Sequence, residues 1–285
     1  MALTVNTNTT SLGVQKNLNR ASDALGTSMT RLSSGLKINS AKDDAAGLQI
    51  ATRMTSQIRG QTMAIKNAND AISIAQTAEG AMQEQTNILQ RMRELAVQSR
   101  NDNNSEADRD ALDKEFQSML KEIDRIAGST QLNGKNLLDG TASDMTFQVG
   151  SNTGSDNQIT ISLSDAMNTS ASGALNGLSG MKITGSDSTS AEASFTAALS
   201  AIDDALNAIN ATRADLGAVQ NRLTSTINNL QNINENAEAA RGRVQDTDFA
   251  AETAQMTKQQ TLQQASTAVL AQANQLPSAV LKLLQ

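Results

Sequence analysis

The chain of 285 residues contains a single proline, Pro277, which lies close to the C-terminus. Proline is the strongest helix breaker, because it lacks a backbone N–H and its ring clashes with the preceding turn. All the residues that precede Pro277 are therefore free to form helices of almost any length. The position of this one residue favours long helices, provided that apolar residues recur with helical spacing.

Apolar residues do recur with helical spacing in the first half of the chain. The longer of two apolar stripes runs from Ala51 to about Ala96, so we expect one helix from near Asp43 to about Arg100. At 1.5 Å per residue this helix is roughly 80 Å long, which exceeds a compact domain and is typical of a rod. Glu79 and Arg93 fall at its seam positions, where they set register or pair with another chain. A shorter apolar stripe lies before it in the chain and predicts a first helix; it comprises Val14, Leu18, Ala21, Leu25 and Leu32.

Helix boundaries have signals of their own. Gly35 stands where a left-handed helix stop is expected, and Ser40 with Asp43 and Asp44 resembles a capping arrangement for the next helix. Ser105 with Asp108 predicts the start of a third helix. The apolar stripe of that helix comprises Leu112, Phe116, Met119, Ile123 and Ile126.

The C-terminal region carries the clearest seven-residue repeat in the chain. Four consecutive heptads indicate a coiled coil. They are formed by Leu216, Val219, Leu223, Thr226, Leu230, Ile233, Ala237, Ala240 and Val244. A last helix should face the same kind of partner as the first, with a stripe formed by Leu262, Ala265, Val269, Ala273, Leu276, Val280 and Leu283.

The middle of the chain is different, because it is rich in Ser, Thr, Gly and Asp. Two short alternating runs, 145–149 and 159–163, predict a β-hairpin. Residues 168–191 show no sustained period and suggest a surface loop or a small β excursion. The fold class is thus mainly α: a long antiparallel coiled-coil rod formed by the N- and C-terminal segments, with a small β-hairpin and loop region in the middle.

The chain is expected to divide into three parts. Paired terminal helices occupy 1–43 and 250–285, the long-helix rod occupies 44–140 and 191–249, and the hairpin and variable loop occupy 141–190. The terminal stripes contain several alanines and polar neighbours, so their burial returns little against the entropy cost of ordering them. We therefore expect both ends to be largely disordered in the monomer and to become ordered on assembly.

Missing residue types argue against enzymatic activity. The chain has no His and no Cys, and most nucleophile, general-base and metal-ligand schemes use at least one of them. We expect no catalytic site, no metal and no cofactor. The absence of Cys fits the cytosol, and it fits equally a chain exported unfolded without a signal peptide.

Charge and hydropathy exclude two classes of partner. The formal net charge is −6, and no segment collects Lys and Arg with interleaved aromatics, so nucleic acid is not an expected partner. No apolar run of about 18 residues is present, so we expect no membrane insertion. The start of the chain shows neither the basic nor the apolar region of a secretory signal, and none is expected.

One long motif resembles a known family. Residues 32–50 read LSSGLKINSAKDDAAGLQI and are similar to the N-terminal signature of bacterial flagellin. The segments 90–98 (QRMRELAVQ), 133–140 (NGKNLLDG) and 216–223 (LGAVQNRL) are also similar to it, as is the tail 272–277 (QANQLP). The resemblance covers both helical regions. The short middle region departs from larger members and leaves no room for big outer domains.

The resemblance implies a structural subunit that polymerises with itself into the extracellular flagellar filament for motility. It implies paired terminal helices as an inner tube and long helices as an outer tube, with an open helical assembly. It also implies export through the flagellar type III apparatus and a flagellin-specific chaperone at the C-terminus. Flagellar cap and hook-associated proteins are implied as further partners.

Arg91, Leu95 and Glu115 match positions through which similar flagellins are bound by the flagellin-sensing Toll-like receptor of hosts. Two other interpretations stay open: a helix face stabilised by local salt bridges, and subunit contacts inside the filament. Together, the residues expected to contact a receptor or a subunit are Gln90, Arg91, Arg93, Glu94, Leu95, Gln98 and Glu115. The polymerisation seams are expected at Leu18, Leu25, Leu32, Leu262, Val269, Leu276, Val280 and Leu283.

Two alternative functions remain from the sequence. A hook-filament junction protein shares the terminal signatures of flagellin and is made in few copies. Outside the family, a soluble coiled-coil scaffold or adhesin fits the same heptads.

Overall fold

A computed structural model describes residues 7–170 and 172–283, with side chains up to residue 275. Helices dominate it, so the predicted mainly α fold with a small β region is confirmed. The helices are α1 Thr9–Ser34, α2 Ala45–Ser99, α3 Glu106–Ser129, α4 Ser188–Gln245 and α5 Phe249–Leu283. The strands are β1 Gln131–Leu132, β2 Lys135–Asn136, β3 Ser143–Gln148 and β4 Gln158–Leu163.

The chain forms two compact units. The terminal unit contains residues 1–58 and 235–285, and the central unit contains residues 59–234. The division therefore falls inside α2 and α4, whereas the boundaries expected from the sequence follow the helix ends.

In the terminal unit, α1 packs along α5. Leu18, Leu25 and Leu32 are half-buried on the face of α1 that includes the buried Ala21. The connectors that follow α1 and α4 lie side by side: Leu36 and Asp246 form an antiparallel bridge. This bridge fixes the ends of the two helices in the terminal unit.

The helix stop at Gly35 is confirmed, and the capping arrangement predicted at Ser40, Asp43 and Asp44 is confirmed for Asp44. Gly35 ends α1 with a φ of 73°, and its N–H donates to the carbonyl oxygen of Arg31. The Asp44 carboxylate accepts hydrogen bonds from the N–H groups of Ala46 and Gly47 at 3.0 and 2.9 Å, and so caps the start of α2. Asp43 instead closes the preceding turn, where its carboxylate accepts from the N–H of Ser40.

In the central unit, α2 and α4 run antiparallel. Glu79 of α2 pairs with Gln220 of α4, whereas Arg93, later in α2, pairs with Asp203, earlier in α4. The seam of α2 contains a run of buried alanines followed by larger side chains such as Met82 and Leu89. Leu216 and Leu223 of the predicted heptad are buried opposite this seam. The alanines are Ala64, Ala68, Ala71, Ala75 and Ala78.

The predicted β-hairpin is present. Strand β3 pairs with β4 in antiparallel register, with Met145 opposite Ile161 and Phe147 opposite Ile159. Every second side chain of β4 is buried in the core, namely those of Ile159, Ile161 and Leu163, and the residues between them are exposed. A second, smaller hairpin, β1–β2, was not predicted, because each of its strands has only two residues.

The expectation of a surface loop for residues 168–191 holds only in part: many of the described residues are exposed, but the segment is also anchored in the core. Leu175, Leu178 and Ile183 in this segment are fully buried in the core of the central unit. Polar side chains of the helices hold the segment in place: Gln117 of α3 donates to the carbonyl oxygen of Met181 at 2.6 Å. The apolar residues follow no regular period, so periodicity had no means of finding them.

Candidate functional site

Six exposed polar side chains on α2 and α3 form one surface, which we call the charged patch: Gln90, Arg91, Arg93, Glu94, Gln98 and Glu115. Arg91 lies at its centre and donates to Glu94 at 2.8 Å and to Glu115 of α3 at 3.2 Å. The hydrogen bonds to Glu94 and Glu115 raise the pKa of Arg91 above its usual value. Arg91 therefore joins two helices at the surface with its charge permanently in place.

Leu95 does not belong to the exposed part of this patch. Its side chain is 0% exposed and packs in the core that also contains Phe116 of α3. A step of four residues from Arg91 rotates the side chain by about 40°, which is enough to turn it from the surface into the α2–α3 seam. Leu95 supports the patch from below and does not present its side chain to a partner in this structure.

One apolar residue of the surface was missed in the sequence analysis. Val97 is 55% exposed and lies on the outer face of α2, three residues after Glu94 and four after Arg93. A helix places residues at these spacings next to each other. The signal was present in the sequence, since Val97 falls outside the buried stripe of α2.

Arg93 extends the patch towards α4. Its guanidinium donates to the Asp203 carboxylate at 2.6 Å. Glu79, the other charged residue predicted at the seam, accepts a hydrogen bond from Gln220 at 2.9 Å and lies 3.9 Å from Arg213. Both residues thus pair within the chain, which agrees with the predicted role in register.

The second surface belongs to the terminal unit. The contact between α1 and α5 has a polar lining: Asn8 donates to the carbonyl oxygen of Ala273, and Ser11 donates to Asn274, each at 2.8 Å. Ser11 is buried, and Arg31 lies 3.7 Å from the shielded carboxylate of Glu252. The helices are therefore joined in part through hydrogen bonds.

The apolar stripe predicted for α5 points largely elsewhere. Leu262 is 45% exposed and Val269 is 48% exposed, whereas Ala273 is buried. Leu262 and Val269 are seven residues apart and share one face of α5. The seam residues of α1 thus have a partner within the chain, while these two residues of α5 are open to solvent. The predicted seam positions Leu276, Val280 and Leu283 lie outside the residues whose side chains the structure describes.

Other apolar side chains are exposed on the terminal unit. Leu12 and Met29 of α1 and Phe249 at the start of α5 each expose more than half of their surface. Large exposed apolar side chains gathered in one unit mark a contact surface more often than single ones do. The terminal unit therefore offers apolar surface that its own helices leave uncovered.

No group of acidic side chains in the described part of the chain is arranged to hold a metal ion. Among the same residues, none of the helices combines the length and the apolar character that crossing a bilayer requires.

Comparison with known families matches both helical regions. Residues 5–143 match the family described as the bacterial flagellin N-terminal helical region. Residues 199–284 match the bacterial flagellin C-terminal helical region. The two matches leave only the middle of the chain and its extreme ends outside the family.

Individual relatives give the same result. The chain is 40% identical to polar flagellin C of Vibrio parahaemolyticus over 385 aligned positions that cover 100% of both chains. It is also 40% identical to flagellin B of Vibrio cholerae over 375 positions, again covering 100% of both. Because this chain has 285 residues, the alignment of 385 positions leaves 100 positions of the relative without a counterpart here. The expected short form is consistent with this difference.

A solved structure shares the fold. A putative flagellar hook-associated protein from Vibrio parahaemolyticus superposes with a TM-score of 0.60 and 15% identity, covering 72% of this chain and 100% of that one. At this identity the likeness concerns the fold alone. The family matches and the full-length identity decide the assignment: this chain belongs to the bacterial flagellins, the structural subunits of the flagellar filament.

Proposed function

We propose that this flagellin polymerises into a motility filament through the exposed apolar side chains of its terminal unit. The observation that carries the proposal is the outward face of α5, where Leu262 and Val269 lie uncovered one heptad apart. Fully burying an exposed aliphatic side chain of this size contributes about 1.5–3 kcal/mol, and covering the exposed half of Leu262 or Val269 should contribute roughly half of that. In a helical polymer every subunit makes the same contacts with its neighbours, so small contributions add up to the stabilisation that assembly requires.

A seeded growth assay tests this assembly surface. The double variant Leu262→Ser/Val269→Ser should grow poorly from filament fragments in electron microscopy, since it removes apolar surface and leaves in place the residues that hydrogen-bond α1 to α5. The matched control Gln260→Ser/Gln264→Ser changes two exposed polar residues of the same helix. Growth of the apolar variant at the rate of the control contradicts the proposal.

An export route is also proposed, in which the paired α1 and α5 are the form that the terminal segments reach on assembly. We propose that the terminal segments are disordered in the monomer, pass unfolded through the flagellar type III apparatus, and become ordered when they join the filament. An export chaperone at the C-terminus would cover Leu262 and Val269 before assembly. Amide exchange on the monomer measures this, with fast exchange expected over residues 7–40 and 250–275; strong protection there contradicts it.

Further proposed partners follow from the position of this subunit in a flagellum. The cap and the hook-associated proteins present the first and the last contacts to a growing filament, and we propose that they engage the terminal unit. Removal of residues 250–285 should abolish growth while the central unit stays folded by circular dichroism. Normal growth of the truncated chain removes the terminal unit from these contacts.

The charged patch is proposed as the surface that a host's flagellin-sensing Toll-like receptor recognises on the monomer. Arg91 and Glu115 present opposite charges at a fixed distance on two helices, with the exposed Val97 on the neighbouring surface of α2. Such a combination of charge and apolar area favours a protein partner. Neighbouring subunits in the filament are proposed to use the same patch.

Receptor signalling by purified monomer tests this patch. Arg91→Ala should lower signalling, because it removes a charge and the link between α2 and α3. Arg125→Ala is the matched control: Arg125 also pairs with a glutamate three residues away and is also exposed, but on the outer face of α3. Equal signalling by the two variants contradicts receptor recognition through Arg91.

The junction-protein alternative rests on the terminal signatures that such proteins share with flagellin, and the fold likeness at 15% identity does not separate the two functions. Full-length identity to filament flagellins favours the filament subunit. Seeded growth separates the two functions, since a filament subunit forms long tubes and a junction protein adds only short terminal segments.

A further inference from the structure

The tripeptide Leu-Asn-Gly occurs twice in this chain, at 132–134 and at 175–177. An Asn-Gly pair is prone to deamidation, because glycine has no side chain to hinder its backbone nitrogen as this attacks the asparagine side-chain carbonyl. The two copies have the same intrinsic chemistry. The structure surrounding each copy therefore decides which one reacts.

The first copy lies in an exposed and weakly held turn. Asn133 and Gly134 form the two-residue loop between β1 and β2, with φ angles of 52° and 75°. Both residues are exposed, and an added Cβ on Gly134 would meet no atom within 4 Å. In the described part of the chain the Asn133 side chain makes no hydrogen bond. Strands of two residues provide very few ladder hydrogen bonds, so this hairpin opens at low cost.

The second copy is held by the core. Asn176 begins a short 3₁₀ helix, and its N–H donates to the carbonyl oxygen of Gly173 at 3.1 Å. Its own carbonyl oxygen accepts from the N–H of Ser179 at 2.9 Å. The neighbours Leu175 and Leu178 are fully buried. Rotation of the Asn176 backbone into an attacking geometry requires withdrawal of these two leucines from the core.

We propose that Asn133 is a site of spontaneous deamidation in the folded chain, and that the fold protects Asn176. The Gly134 nitrogen, after loss of its proton to base, forms a bond to the side-chain carbonyl carbon of Asn133. The bond from that carbon to the side-chain nitrogen breaks, and ammonia leaves. Water then opens the resulting succinimide at either carbonyl, which yields aspartate or isoaspartate. No oxidant, cofactor or enzyme is required.

The modification changes a defined surface. Asn133 lines an open cleft of about 730 Å³ between α2, the small hairpin and β3. The charged residues of this cleft are Asp70, Lys135 and Asp144, so a new carboxylate at residue 133 adds negative charge where two acids already face one base. Isoaspartate also lengthens the backbone by one carbon, which a two-residue turn with both φ angles positive does not accommodate. An aged subunit would thus differ from a new one in charge and in local shape.

Peptide mapping of the full-length protein by mass spectrometry tests the proposal. Folded protein is incubated in mildly alkaline buffer, and the gain of about one dalton is followed at residues 133 and 176, with enzymatic methylation to detect isoaspartate. Residue 133 should convert at least an order of magnitude faster than residue 176. In denaturant the two rates should become similar, because the tripeptides are the same.

Controls make the result decisive. Asn133→Gln keeps the amide and should abolish the acidic form on isoelectric focusing, while circular dichroism confirms that the variant is folded. Mildly acidic buffer should slow the reaction, because the attacking nitrogen must lose its proton. Similar rates at residues 133 and 176 in the folded protein overturn the proposal, as does an unreactive Asn133 in folded protein that becomes reactive in denaturant.

Discussion

Arg93 of α2 and Asp203 of α4 lie 2.6 Å apart, from guanidinium nitrogen to carboxylate oxygen. This pair matters because the apolar residues around it do not define a unique alignment of the two helices. A slip of one heptad exchanges Leu216 with Leu223 and leaves the apolar pattern almost unchanged. The same slip places Arg93 opposite Thr196 or Asn210, without a carboxylate. Polar pairs thus favour the observed register over one shifted by a heptad.

The Arg93–Asp203 pair should contribute little to stability in spite of this role. Both side chains are almost half exposed, and exposed ion pairs typically contribute about 0.2–1 kcal/mol. A double-mutant cycle with Arg93→Ala and Asp203→Ala, followed by chemical denaturation, measures the coupling energy. The coupling should shrink in high salt. A salt-independent coupling of several kcal/mol would show that the pair behaves as a buried one.

Leu95 and Val97 should respond in opposite ways to truncation. Leu95→Ala leaves a cavity between α2 and α3 and should lower the free energy of unfolding by about 2–5 kcal/mol. Val97→Ala changes an exposed side chain and should stay within about 0.5 kcal/mol of the parent. Thermal denaturation measures both. In the receptor assay the order should reverse if the charged patch acts as proposed: Val97→Ala should lower signalling more than Leu95→Ala, since of these two residues only Val97 presents its side chain to a partner.

Gln85 should stabilise the segment near residues 166–178, several residues of which are buried in the core. Its side chain is fully buried and donates to the carbonyl oxygen of Met167 at 2.8 Å and to that of Ile123 at 3.3 Å. Gln85→Leu removes both donors and should cost about 1–3 kcal/mol, because an unpaired buried acceptor is expensive. Hydrogen exchange near residues 166–178 should rise more than exchange in α3, since the hydrogen bond to Met167 is the shorter one.

Acid should weaken the N-terminus of α3 and the turn that precedes α2. Hydrogen bonds from Ser105 hold the pKa of Asp108 below its usual value, and backbone N–H groups of Ser40 and Asn39 do the same for Asp43. A carboxyl with a lowered pKa in the folded state contributes stability above its unfolded pKa, and loses it as the pH falls through the folded pKa. Stability should therefore decline on acidification below the ordinary range of aspartate.

The variant Asp108→Asn isolates one of these contributions. It removes the titrating group from the capping box of α3 and should flatten the acid limb of a plot of stability against pH. Asp110→Asn changes a neighbouring aspartate for which no capping hydrogen bond is recorded among the described residues. An unchanged acid limb in Asp108→Asn would show that the capping box does not contribute to the pH dependence.

Periodicity in the sequence predicted the helices and the main hairpin well, because both patterns reflect which faces are buried. It failed where burial follows no period, as at Leu175 and Leu178, which pack through an irregular segment. It also failed to distinguish an apolar stripe that packs within the chain from one that the chain leaves exposed. Leu25 of α1 faces a helix of its own chain, whereas Leu262 of α5 faces solvent, and the two look alike in sequence.

The candidate surfaces show a similar limit. The residues of the charged patch were predicted from the resemblance to a family, and one of the local salt bridges considered for this helix face is present between Arg91 and Glu94. The burial of Leu95 and the partner Asp203 depend on where α3 and α4 pack. Those contacts join residues far apart in the chain, and spacing along one helix carries no information about them.

The alanines that line α2 have a consequence for how quickly the central unit closes. An alanine methyl has no rotamers, so burying Ala68, Ala71, Ala75 and Ala78 freezes no side-chain torsion. A seam of leucines and methionines must select one rotamer from several at each layer. Once the two backbones meet in the native register, the alanine part of this seam needs no rotamer search, and that search is confined to the larger side chains from Met82 onward.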